Sequence, residues 1–129
     1  MNKDTLLRVA AFVTAILFLQ TLYFKFTGHP ESVALFTTLG VEPWGRWATG
    51  IIELIASILI VIRTTSVIGA FIGAGLMTGA IASHLLVIGV DSNGDGGTLF
   101  TFAIVAFVCS VFILYSRLDE LKIILKLKK

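Results

Sequence analysis

The amino-acid sequence predicts an all-α membrane protein: a four-transmembrane-helix bundle with both termini cytoplasmic and a short interfacial helix in the first outer loop. Three observations carry this expectation. Of the 129 residues, 57% are hydrophobic and only 14% charged, against about 25% charged in ordinary soluble domains. Four apolar runs, residues 6–24, 43–62, 67–90 and 98–115, each come near the roughly 20 residues that cross about 30 Å of hydrocarbon. None of them shows the wide charged stripe that a surface helix of a soluble protein needs. The whole chain, 1–129, therefore reads as one transmembrane domain with helices over about 6–26, 43–62, 66–90 and 98–116.

The first helix follows a start, Met-Asn-Lys-Asp-Thr-Leu-Leu-Arg, that imitates a signal peptide. No small-x-small cleavage pattern follows its apolar run, so the helix is expected to be retained. Gly28-His29-Pro30 ends it, because the residue before proline is pushed out of the α region and glycine supplies a turn. Residues 31–39 then form a short helix candidate with Val33, Phe36 and Leu39 on one face and Gly40 as its stop. Its expected place is the outer membrane surface, as an anchor or as a lid over a site. Pro43 suits the first turn of the second helix, and Trp44 and Trp47 suit the headgroup boundary. The third helix carries Gly69, Gly73, Gly75, Gly79 and Ser83, small residues that let helices approach closely inside the bundle or between protomers of a homo-oligomer.

Orientation follows from the basic residues, since cytoplasmic flanks retain Lys and Arg. Lys3 and Arg8 flank the first helix and Arg63 lies between the second and third. Arg117, Lys122, Lys126, Lys128 and Lys129 follow the fourth, while only Lys25 and Arg46 fall on the other side. The net charge of +2 thus gathers on a cytoplasmic tail, where it is attracted to anionic lipid. It gives no ground for nucleic-acid binding.

Polar residues within the runs form stripes. Arg46, Gly50, Glu53 and Ser57 recur at steps of four, three and four and share one face of the second helix. Thr14, Thr21 and Lys25 share a face of the first, and Gly73, Met77, Ala80 and His84 a face of the third. Gln20 lies about 140° from Lys25 around its helix and falls outside that stripe's centre. Glu53 is the most informative residue, because a charge in lipid costs roughly 2.5–3.5 kcal/mol on insertion scales and such residues face a bundle interior. At about 1.5 Å rise per residue, Glu53 lies about 9 Å below Trp47, and His84 about 9 Å below the outer end at Val90. A polar pocket in the outer leaflet is the resulting hypothesis. Lys25 is its cation, Glu53 its proton-exchanging carboxylate, His84 a hydrogen-bond partner, and Arg46 and Ser57 further candidate ligand-binding residues. Each has a structural alternative: Lys25 snorkelling to headgroups, Glu53 paired with Lys25 or Arg46, His84 joining two helices.

The residues also exclude much. The single cysteine, Cys109, rules out an internal disulfide or a dithiol pair. Only His84 lies within a span, so a bis-histidine haem is excluded. There is no iron–sulfur thiolate set, dinucleotide fingerprint, phosphate loop or serine nucleophile motif, and no intrinsic cofactor or metal site is expected. Residues 91–96, Asp-Ser-Asn-Gly-Asp-Gly, match the opening of a calcium loop. The closing glutamate position holds Phe102, so a flexible turn is the reading.

Several stretches resemble the DoxX-like family of small membrane proteins: Lys25-Phe26-Thr27-Gly28-His29-Pro30-Glu31-Ser32, Gly40-Val41-Glu42-Pro43-Trp44, Gly50-Ile51-Ile52-Glu53-Leu54, Gly75-Leu76-Met77-Thr78-Gly79-Ala80 with Ser83-His84-Leu85, and Asp95-Gly96-Gly97. The resemblance covers nearly the whole chain and implies a multi-pass protein of the bacterial inner membrane. Some members are associated with thiosulfate and quinone oxidoreduction or with complexes handling oxidative stress, and more distant relatives act in membrane-protein assembly. Lys25, Glu53 and His84 fall in the matching motifs, but the family supplies no agreed catalytic set, so whether the chain is an enzyme stays open. Two functions follow as expectations. One is a quinone-linked redox subunit or accessory protein drawing electrons from a partner; the other is an assembly or binding factor that recognises a membrane helix or lipid headgroup.

Overall fold

The computed structural model describes residues 2–91 and 96–127, and every described element is helical. Helix α1 spans Lys3–Thr27, α2 Pro30–Thr38, α3 Trp44–Val61, α4 Ser66–Ser83, α5 Thr98–Ser116 and α6 Leu118–Leu127. A 3₁₀ turn, Arg63–Thr65, joins α3 to α4, and a π-helical turn, His84–Ile88, extends α4. Four spans are long and apolar enough to cross a membrane: α1, α3, α4 with its flanking turns, and α5. The chain is a multi-pass membrane protein.

Each end of a helix has a local cause. The Asn2 side chain caps α1 by accepting from the Thr5 N–H at 2.8 Å. Gly28, at φ +69°, closes α1 in the left-handed conformation, its N–H and that of His29 both returning to the Phe24 carbonyl. The same device stops α2: Gly40 N–H reaches Thr37 O and Val41 N–H reaches Phe36 O, each at 3.0 Å. Pro43 stands just ahead of α3 rather than within its first turn. The third crossing helix does not run unbroken to residue 90. Its α-helical geometry gives way at His84, and Gly89, at φ +91° and ψ 166°, ends it in a conformation open essentially to glycine alone.

The crossing helices are packed in the ring order α1, α3, α4, α5, with α1 against α3 and α5, and α4 against the same two. The inward faces are rich in small residues, Ala10, Ala11, Thr14 and Ala15 on α1, Gly69, Ala70, Gly73 and Ala74 on α4, Ala103, Ala106 and Ser110 on α5, with a few large side chains such as Phe18, Ile60 and Ile113 filling the space between them. Large side chains such as Phe12, Ile16, Ile51, Ile58, Phe71 and Val108 point outward. Apolar surface turned to lipid and small residues turned inward is the pattern of helix association in a bilayer, where close backbone approach does the work of hydrophobic burial. The glycine run divides accordingly. A Cβ on Gly69 would come within 2.4 Å of the Ile60 backbone nitrogen, whereas Gly75 and Gly79 face open space.

The two ends of the bundle differ. At one end Arg63 grips Asp4 through two hydrogen bonds of 3.0 and 3.2 Å, and Arg117 lies 3.8 Å from the same carboxylate. The chain start, the α3–α4 turn and the start of α6 therefore meet there. The other end is roofed by α2, which touches α1, α3 and the π-helical turn. Phe36 is the buried face of this roof, with Val33 and Leu39 half-buried beside it. α6 is an element that the sequence reading left as a basic tail.

Candidate functional site

Beneath α2 lies a cavity of about 540 Å³, within the range of small-molecule sites. α1 contributes Thr21 and Lys25, α3 Thr49 and Glu53, the π-helical turn His84, α4 Met77, and α5 Leu99 and Phe102. Most of the remaining wall is apolar. A membrane-soluble molecule with a small polar head matches this lining.

The polar centre of the wall is an ion pair. Lys25 Nζ stands 2.6 Å from Glu53 Oε1, with the side chains 13% and 3% exposed. Thr21, one turn before Lys25, places its hydroxyl 3.1 Å from Glu53 Oε2 and 2.8 Å from the Phe18 carbonyl, so its single proton alternates between two acceptors. The helical offset of four brings Thr21 and Lys25 to the same face of α1, and α3 carries Glu53 against that face. Pairing offsets part of the cost that either charge alone would carry in a membrane interior. Two of the three ammonium protons of Lys25 remain for a further acceptor.

His84 is held by both its backbone and its ring. Its carbonyl accepts the Gly89 N–H at 2.6 Å, and its Nδ1 lies 3.1 Å from the Gly89 carbonyl. A carbonyl oxygen only accepts, so Nδ1 carries the proton of that bond, and in the neutral tautomer Nε2 is an acceptor. The ring edge rests on Phe100, centroids 5.5 Å apart. The π-helical turn is what sets this geometry, and single turns of that kind recur at functional sites.

Two candidates read from the same stripe stand outside the cavity wall. Arg46 is buried, but its guanidinium is bound to Glu42, Nε to Oε1 at 2.9 Å, Nε to Oε2 at 3.1 Å and Nη2 to Oε1 at 2.8 Å. It also donates to the Lys25 carbonyl in the last turn of α1. It is a cation at a helix C-terminus, a stabilising position. Ser57 donates back to the Glu53 carbonyl at 2.7 Å, the usual way a serine satisfies itself in an apolar helix. Glu42 as Arg46's partner was available from its i,i+4 spacing.

Several lining residues had no signal in the charge pattern. Gln20 lies on the cavity rim although its angle sets it off the Lys25 stripe, because the wall is wider than one helix face. Ser32, Leu35 and Phe36 come from the roof, and α5 contributes only apolar and hydroxyl groups. None of the α5 residues in the wall is titratable, so charge could not have marked it. Among the described residues no cluster of His, Cys, Asp and Glu could hold a metal. Residues 92–95 of the calcium-like loop lie outside the described residues.

The model of a family described as the DoxX-like family matches residues 9–113. That span contains Lys25, Glu53, His84, the whole of α3 and α4 and most of α1 and α5, but not α6. No curated protein and no solved structure matches the chain.

Proposed function

The chain belongs to the DoxX-like family, and from that and the cavity's chemistry we propose that it is a quinone-binding accessory subunit of a redox system in the bacterial inner membrane. The observation that carries this reading is the Lys25–Glu53 pair, 2.6 Å apart, opening with His84 onto a cavity of about 540 Å³ whose wall is mostly apolar, with Glu31 and a few hydroxyl and amide side chains besides. A quinone headgroup has two ring oxygens, and Lys25 and His84 are two unlike polar groups on the wall. Lys25 donates to one oxygen. His84 Nε2 accepts from the hydroxyl of the reduced form at the other, and Glu53 relays protons to and from Lys25. Electrons come from a partner protein, and the chain's own residues bind the ring, exclude water and move protons. The concentration of basic residues at the end opposite the cavity supports an orientation with both termini cytoplasmic.

The test is retention. Protein extracted from native membranes in mild detergent should carry quinone detectable by mass spectrometry, and His84→Ala should lower that amount several-fold without loss of folded protein. Absence of quinone together with a stoichiometric membrane-protein partner would instead favour an assembly factor.

A further inference from the structure

We propose that α6 lies in the headgroup layer and binds anionic phospholipid, with Lys122 and Lys126 on the phosphates and Ile123 in the upper acyl region. Only Arg117 separates α6 from α5, a crossing helix, so α6 begins where the chain leaves the hydrocarbon. Lys122 and Lys126, four residues apart, share one face, and both are exposed. Beside them Ile123 is 57% exposed. A large aliphatic group flanked by lysines on a short helix at the membrane boundary is the make-up of an interfacial anchor.

The surroundings select the charge of the lipid. Asp4 is shared between Arg63 and Arg117, while Arg8 donates through Nη2 to the Val61 carbonyl at 2.7 Å. By sequence, the segments that meet at this end carry Lys3, Arg8, Arg63, Arg117, Lys122 and Lys126 against the carboxylates Asp4, Asp119 and Glu120. A zwitterionic headgroup brings no net countercharge to that surplus, whereas an anionic one does. A soluble acidic protein could meet the lysines, but the bilayer edge is already in reach and also covers Ile123.

Full-length protein reconstituted in phosphatidylcholine mixed with phosphatidylglycerol of the same acyl chains tests this by native mass spectrometry. Phosphatidylglycerol should be enriched among retained lipids. The double variant Lys122→Gln/Lys126→Gln should lower the enrichment by roughly tenfold or more, because each basic residue near an anionic surface contributes about fivefold. Equal retention of the two lipids, or an unchanged enrichment in the double variant, would overturn the proposal. A nitroxide attached through Ile123→Cys in a Cys109→Ala background reports depth independently. It should be accessible to dissolved oxygen and shielded from an aqueous nickel chelate; an aqueous probe would overturn the placement and leave the helix open to a soluble protein.

Discussion

Glu53 can sit inside a membrane helix because Lys25 reaches it from another one. The pair lies almost out of solvent, so removing one member leaves the other as an uncompensated charge, a loss of about 3–5 kcal/mol in buried pairs. Glu53→Gln should therefore lower thermal stability in detergent strongly, and Lys25→Met added to it should recover at least half of the loss. A double variant no more stable than Glu53→Gln would show that the 2.6 Å contact does not couple the two. This pair was readable in the sequence because charges within the spans are so few that each had to find another. Arg46 misled for the same reason. It shares the Glu53 stripe, yet Glu42 and the end of α1 take all of its guanidinium, and a stripe specifies direction without specifying partners.

Arginines also tie the helices together end to end. Arg46 donates to the Lys25 carbonyl in the last turn of α1, and at the opposite end Arg8 donates to the Val61 carbonyl that ends α3. Each satisfies a carbonyl that has no partner within its own helix. Along α4 the glycines separate by function. Gly69→Ala should lower stability by pushing α4 away from Ile60, while Gly75→Ala should be neutral or raise it by up to about 1 kcal/mol through helix propensity. Thermal unfolding in detergent compares the two, and equal effects would contradict the α3–α4 contact described above. The four crossing helices and α2 were readable from apolar length, Pro30 and Gly40. The π-helical turn was not, because one residue fewer or more per turn leaves no periodic mark over five residues, and Gly89 is its only trace. α6 was passed over because its lysines read as a tail before its apolar residues read as a face.

The chain as a whole divides into a basic end and a cavity end. Among the described residues, Lys25 and Arg46 are the only Lys or Arg residues at the cavity end, where Glu31, Glu42, Glu53 and Asp91 also lie. The cavity itself could not be read from the sequence, since its volume comes from how α1, α3, α4 and α5 meet under α2, and much of its wall is unremarkable Leu, Ala and Phe. Its polar corner could, because the cost of burying charge forces Lys25 and Glu53 inward. Photolabelling of the membrane-embedded protein with an azido-quinone, mapped by peptide mass spectrometry, tests whether that corner is a quinone site. The account predicts adducts within residues 17–25 and 98–106, suppressed by excess unlabelled quinone and reduced by Lys25→Gln. Labelling spread evenly over lipid-facing residues such as Phe12, Ile58 and Phe71, and insensitive to the competitor, would contradict it.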